Sequence, residues 1–153
     1  MSNSTRTTIL AGPELLPEAR AALKGATQHY GEAFRRFNAE TVIEMLADDV
    51  VYESQALLEP ITGKHAVAEY LRKRYRFFAE NMGDQIEIIP AEIGLPKAAK
   101  HPCLILARGE ERDALLVLTL DGTEKVRRID LLFAAPRPEE ARVMVKTSAR
   151  ARQ

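Results

Sequence analysis

Apolar residues recur at steps of three and four through Ala19, Ala22, Leu23, Ala26, Tyr30, Ala33, Phe34 and Phe37. That spacing lays one stripe along a helix of about five turns. Pro13 and Pro17 stand at its start, where the missing N–H of a proline costs nothing. Gly25 and Gly31 weaken the helix intrinsically, so packing must hold it, and a small residue there permits close approach. Asn38 interrupts the stripe and is a good N-cap for a short second helix carrying Val42, Ile43, Met45 and Leu46. Asp48 and Asp49 end it, and the β-branched and aromatic run Val50, Val51, Tyr52 predicts a strand. After a loop at Leu57, Leu58 and Pro60, Thr62 or Gly63 opens a third helix. It carries Ala66, Val67, Tyr70, Leu71, Arg74, Phe77 and Phe78 on one side and closes at Asn81 to Gly83.

The period then changes. Ile86 and Ile88 alternate with polar residues, while Ala91, Ile93 and Leu95 continue on the opposite parity, so a bulge or bend is expected at Pro90. Cys103 to Ala107 and Leu115 to Leu120 are continuous apolar runs separated by the polar turn GEERD. Asp121-Gly122 is a hairpin signal leading into a strand from Lys125 to Phe133. Helices first and a meander afterwards predict an α+β fold, three helices on a curved, mostly antiparallel sheet. One sheet face is expected to carry the helices and the other to meet solvent or a second subunit. The organisation expected is a flexible segment 1–12, a single domain 13–136 and a C-terminal tail 137–153, basic and mobile at its end.

Composition narrows the function classes. The 153 residues are 46% hydrophobic, enough for a core without staples. Twenty-two basic residues balance twenty-two acidic ones, which removes any global electrostatic pull toward nucleic acid or anionic membrane. The polar N-terminus lacks the apolar run of a secretory signal, and no segment approaches the roughly 20 apolar residues of a membrane span, so a cytoplasmic location is expected. Cys103 is the only cysteine and reads as a small buried hydrophobe. His29, His65 and His101 lie on no ligand-spaced motif, and no glycine-rich phosphate loop exists; neither a metal nor a cofactor is expected.

The ordered set of features resembles the nuclear transport factor 2-like superfamily, the SnoaL-like or cystatin-like α+β folds. A long first helix carries Tyr30, and a capped short helix starts at Asn38. The run ADDVVYES spans Ala47 to Ser54, and Gly63-Lys64-His65-Ala66-Val67 opens the third helix. A meander ends in Arg128-Ile129-Asp130-Leu131-Leu132-Phe133. The match runs from about Leu15 to Pro136. The resemblance implies a cone closed by the helices, with a cavity, and side chains pointing into it as the place for any chemistry. Fold alone does not choose among the isomerases, cyclases, hydrolases and adaptors of such folds.

Strand parity sorts the candidates. Tyr52 and Ser54 share a face with Val50, and Ile129, Leu131 and Phe133 form the matching set of the last strand; these are expected to face the cavity. By the resemblance, Tyr30 falls where ketosteroid isomerases of the superfamily keep an oxyanion-stabilising tyrosine, although core packing explains it as well. Ser54 replaces their general-base aspartate, and a serine hydroxyl cannot take a carbon-bound proton at neutral pH. Leu131 stands where epoxide hydrolases of the superfamily place an aspartate. Glu53 and Asp130 point to the opposite face, where a cross-strand or inter-subunit ion pair with Arg128 or a neighbouring arginine suits Asp130. The expected site is thus a pocket for a small apolar or amphipathic ligand lined by Tyr30, Tyr52, Ser54 and Leu131; the alternative is a non-catalytic association module. A homodimer is expected through an outer face carrying Val126, Leu132 and Leu116 or Leu118.

Overall fold

The computed structural model describes residues 16–95, 98–133 and 137–143, with the backbone alone for residues 95 and 98–100. Three helices lead: α1 (Pro17–Arg35), α2 (Ala39–Glu44) and, after two strands, α3 (Lys64–Asn81). The strands are β1 (Leu46–Ser54), β2 (Ile61–Thr62), β3 (Ile86–Leu95), β4 (Ala98–Arg108), β5 (Glu111–Leu120), β6 (Val126–Leu132) and β7 (Arg142–Val143). They form one open sheet in the order β2-β1-β6-β5-β4-β3-β7. Every pairing is antiparallel except β1 with β6. The α+β expectation is met.

Local chemistry accounts for the turns. The N–H of Asn38 donates to the Ala33 carbonyl and that of Phe37 to Phe34, at 2.8 Å each, which closes α1 in a Schellman turn. The position that favours glycine is held by Phe37, at φ 54. Asn38 then caps α2, its Oδ1 accepting the Thr41 N–H at 3.1 Å. Asp121 organises the β5–β6 turn by accepting from the backbone of Thr123 and Lys125.

Gly31 brings α1 onto the sheet. A Cβ there would sit 2.9 Å from Leu104 Cδ2, so the helix approaches β4 more closely than an alanine would allow. The helix-facing cluster joins Leu23, Tyr30, Phe34, Val42, Val67, Leu71, Tyr75 and Phe78 to Val50, Tyr52, Leu104, Leu106, Leu116, Leu118, Val126 and Ile129.

Four expectations fall here. Leu46 belongs to β1 rather than α2, and the strand begins there instead of at Val50. No bulge occurs at Pro90, which pairs in register with Leu104; the shift lies between Ile93 and Leu95. The mixed parity of β3 has another cause: both sides of the sheet are buried there, Ile88 under the helices and Ala91 and Ile93 on the outer side. Third, Val126 does not share the outer face with Arg128, because a shift between Thr119 and Leu120 turns it toward the helices. Fourth, the leucines nominated for the outer face are not exposed on it. Leu116 and Leu118 lie under the helices, and Leu132 is fully buried in an outer cluster with Cys103, Ile105, Ala107, Leu115, Val117 and Ala141. Continuous apolar runs such as Cys103 to Ala107 have this meaning: a strand buried on both faces shows no alternation. Residues 137–143 help to close that face. A short 3-10 turn at Pro138–Glu140 precedes β7, which pairs with β3, and Arg112 donates to the Pro138 and Ala141 carbonyls at 3.2 and 2.9 Å. The end of the tail, from about residue 145, lies outside the described residues.

Candidate functional site

The chain has four tyrosines, and the fold brings all of them together on the helix side of the sheet. Tyr30 comes from the middle of α1, Tyr70 and Tyr75 from α3, and Tyr52 from β1. The Tyr52 and Tyr70 rings pack at 4.9 Å between centroids. Phe34 stacks on Tyr75 at 4.8 Å and meets Tyr30 edge-on at 6.4 Å. The period of α1 places Tyr30 and Phe34 one turn apart on the same face, which is why the same stripe that builds the core delivers the phenol.

Two hydroxyls of this cluster, those of Tyr30 and Tyr75, are wholly buried. Tyr30 and Tyr75 lie side by side and their side chains interact, but the geometry falls short of a full hydrogen bond between the two oxygens, and neither meets another partner. Thr27 Oγ1, one turn before Tyr30, is likewise buried without a partner. Burial pushes the Tyr30 and Tyr52 phenols well above their ordinary range, and neighbouring tyrosines add to the effect. Tyr75 is pushed up by burial as well, partly offset by Tyr30. All three therefore stay neutral at any working pH, as hydrogen-bond donors rather than bases.

Ser54 and Leu131 are register partners on β1 and β6, adjacent to Tyr52 and Ile129. Ser54 is buried, and its Oγ accepts the Ala56 N–H at 3.1 Å, a bond that shapes the loop after β1. Leu131 is partly buried against the helix-side cluster. Of the sequence-nominated residues, Tyr30 and Tyr52 thus meet in one cluster, while Ser54 and Leu131 sit at the end of the strands that carry Tyr52. Tyr75 and Tyr70 are the residues the sequence reading missed as site candidates. Tyr70 lies on the α3 stripe read from the sequence, but Tyr75 lies beside it: the buried face runs through Val67, Ala68, Leu71, Tyr75 and Phe78, and Arg74 and Phe77 are exposed.

The carboxylates are on the other side. Glu53 pairs in register with Asp130, and Asp130 with Val117 of the outer cluster. Arg128 Nε donates to Asp130 Oδ2 at 3.1 Å and its terminal nitrogen bonds Glu53 Oε1. This carboxylate–guanidinium–carboxylate triad is almost wholly buried. Its parity is as expected: Glu53 faces away from the helix side, and Arg128 is the partner of Asp130. Among the described residues, no buried carboxylate shares the face with the tyrosines.

Two further groups complete the inventory. His101 Nε2 is buried without a hydrogen-bond partner, and burial lowers the imidazole pKa, with the Leu118 carbonyl opposing and Arg20 adding. Burial pushes the Cys103 thiol up to about 12, which leaves it inert. No cluster of three or more His, Cys, Asp or Glu able to hold a metal occurs among the described residues, and none of their helices is long and apolar enough to cross a membrane.

No family model and no curated protein matches the chain. Solved structures do. A SnoaL-like protein of unknown function from Burkholderia thailandensis superposes with a TM-score of 0.59 at 16% identity, over 78% of this chain and 99% of that one. The epoxide hydrolase/cyclase-like enzyme SalBIII, with a role in pyran ring formation in the polyether salinomycin, gives 0.54 at 16% identity, over 81% and 97%. A putative ketosteroid isomerase from Kribbella flavida gives 0.52 at 17% identity, over 75% and 81%. Three helices on an open, seven-stranded, mostly antiparallel sheet, shared with these neighbours at such low identity, give the chain the nuclear transport factor 2-like fold.

Proposed function

We propose that this chain is a small-molecule-binding domain of the SnoaL-like type, and that its ligand is apolar or amphipathic and presents an oxygen acceptor to the tyrosine cluster. The observation that carries the reading is the pair of Tyr30 and Tyr75 hydroxyls, buried and off hydrogen-bond geometry. A buried donor left unmatched costs about 1–3 kcal/mol, and phenylalanine would fill the same space without that cost. A ketone, ether or epoxide oxygen would accept from these phenols while its carbon skeleton met the surrounding Phe34, Tyr52 and Leu131. The neighbours named as a putative isomerase and a hydrolase/cyclase-like enzyme support a small-molecule role for the fold.

The same geometry limits the chemistry. Phenol donors stabilise developing negative charge, but proton abstraction from carbon needs a base beside them. The buried carboxylates lie across the sheet, on the Arg128 side. Binding, or weak catalysis of an isomerase, cyclase or hydrolase type with the proton acceptor supplied by substrate or water, is what the residues support. A 3-oxo-Δ5 steroid should not be turned over above the buffer rate; robust turnover that vanishes in Glu53→Gln would overturn this parity argument. The direct test is an NMR titration with cyclohexenone, following the tyrosine ring signals. Wild type should show saturable shifts, and Tyr30→Phe and Tyr75→Phe should each bind about tenfold more weakly, the worth of one buried hydrogen bond. Unmoved tyrosine signals, or variants that bind as wild type does, would sink the reading. Oligomeric state is separate from the pocket, because the outer-face leucines are already inside the single chain; light scattering at 17.1 kDa would end the dimer expectation.

A further inference from the structure

The helices frame a second, chemically different surface. Where α1 ends and α2 begins, opposite the middle of α3, an open groove of about 550 Å³ is lined by three guanidiniums, Arg36, Arg72 and Arg76, against one carboxylate, Glu40. The three are not equivalent. Arg72 is committed: its Nε and one terminal nitrogen hold Glu40 at 2.7 and 3.2 Å, and its other nitrogen lies 3.6 Å from Glu69. Arg36 meets only Glu32, at 3.9 Å on an exposed surface. Arg76 makes no ion pair among the described residues and is exposed. Because Arg72 and Arg76 are four residues apart on α3, they project to the same side.

Two aromatic rings, Phe37 and Tyr75, share the rest of the lining with Asn38, Ala39 and Ala79. Phe37 stands in the left-handed region, a conformation that costs an ordinary side chain about 1–2 kcal/mol. Its ring is half-buried, 6.2 Å from Phe78, and still lines the groove. Tyr75 forms the floor, its hydroxyl buried beneath without a partner. A strained aromatic wall, the Tyr75 ring and two guanidiniums, Arg76 and the loosely paired Arg36, thus converge on one concavity.

We propose that this groove binds an oxyanion carried on a flat, aromatic body, the class typified by an aryl phosphate. Arg36 and Arg76 bind its oxygens and the Phe37 ring packs against its body. A guanidinium offers paired N–H donors that match the oxygens of a phosphate or carboxylate, where an ammonium would act only as a point charge. The Glu40–Arg72 pair forms the rim, and Glu40 is the one lining group that opposes an incoming anion.

The test uses the full chain and phenyl phosphate at constant ionic strength, with arginine Nε–H signals observed by NMR. Inorganic phosphate and phenol serve as comparison probes. Phenyl phosphate should shift Arg36 and Arg76 saturably and bind at least about tenfold more tightly than inorganic phosphate, with phenol leaving these signals in place. Arg36→Gln and Arg76→Gln should each weaken binding about tenfold, as expected for one charge-assisted contact. Glu40→Gln should tighten it about threefold by removing the opposing charge. A linear, unsaturated response, an Arg76→Gln variant that titrates like wild type, or a Glu40→Gln variant no tighter than wild type would overturn the proposal. Equal affinity for inorganic phosphate would remove the aromatic requirement and with it the class proposed. The readout is the guanidinium signals, so a silent groove leaves the tyrosine-cluster reading standing.

Discussion

The two faces of the central sheet bury polar groups in opposite ways. On the helix side the polar atoms are neutral hydroxyls, those of Thr27, Tyr30 and Tyr75 lacking hydrogen-bond partners. On the outer side they are ionic, and Arg128 binds both Glu53 and Asp130. Burying a charge costs far more than burying a hydroxyl, so the ionic face must be matched within the chain to exist at all. The hydroxyl face can carry its mismatch as a modest, distributed cost. The ionic arrangement is structural, and the hydroxyl arrangement is the one on which the proposed ligand role rests.

The largest effect that follows is on the ionic face. Arg128→Met leaves two buried carboxylates facing one another without their shared cation and should lower stability by about 3–5 kcal/mol, measured by urea unfolding. Adding Glu53→Gln and Asp130→Asn to that variant should recover most of the loss, since the two buried carboxylate charges are then gone. A loss below about 1 kcal/mol for Arg128→Met would mean that the triad is hydrated and that the contrast between the faces is false.

A smaller effect separates the two glycines of α1. Gly25 is exposed, and a Cβ there meets nothing within 4 Å, so Gly25→Ala should stabilise the chain by about 0.5–1 kcal/mol through helix propensity alone. Gly31→Ala gains the same propensity but drives its Cβ into Leu104, and overpacking costs about 1–3 kcal/mol, so the net should lie between no change and a loss. Thermal unfolding of the two variants side by side decides it; equal stabilisation would show that α1 does not rest on β4 through Gly31.

The helices were legible because their signals are local. The three-and-four stripe through Tyr30, the Asn38 cap and the Gly63 start each act within a turn of the residue that carries them. β1 parity was legible too, since alternation alone puts Tyr52 and Ser54 on one face and Glu53 on the other. What escaped was non-local. The shift between Thr119 and Leu120 reverses Val126 and depends on how two strands pair, not on either alone. The second cluster depends on residues 137–143 returning to β3, which a prolyl, charged segment does not announce. At the site, Tyr52 was found through strand parity and Tyr30 through the family resemblance, the helix stripe alone making it a core residue, whereas Tyr75 was hidden by its neighbours. It sits in the basic run from Arg72 to Arg76, which reads as a solvated face, and only the packing of α3 against α1 turns it inward beside Tyr30.

The smallest expected effect bears most directly on the comparison. Tyr30→Phe removes a hydroxyl that has no hydrogen-bond geometry to any partner and keeps the ring that packs on Phe34. A hydroxyl bonded within the core would be missed by about 1 kcal/mol or more, because its partner would be left unmatched. An unmatched hydroxyl relieves a desolvation cost when removed, so stability should stay within about 0.5 kcal/mol of wild type or rise slightly. Tyr75→Phe should behave in the same way, and the double variant should be additive to within about 0.5 kcal/mol, since the two neighbouring oxygens lack the geometry of a full hydrogen bond. Chemical denaturation at neutral pH measures all three. A loss above about 1 kcal/mol in either single variant, or a coupling of that size in the cycle, would show that the phenols bond each other. The helix face would then be as internally satisfied as the ionic one, and the reason for reading it as a ligand site would be gone.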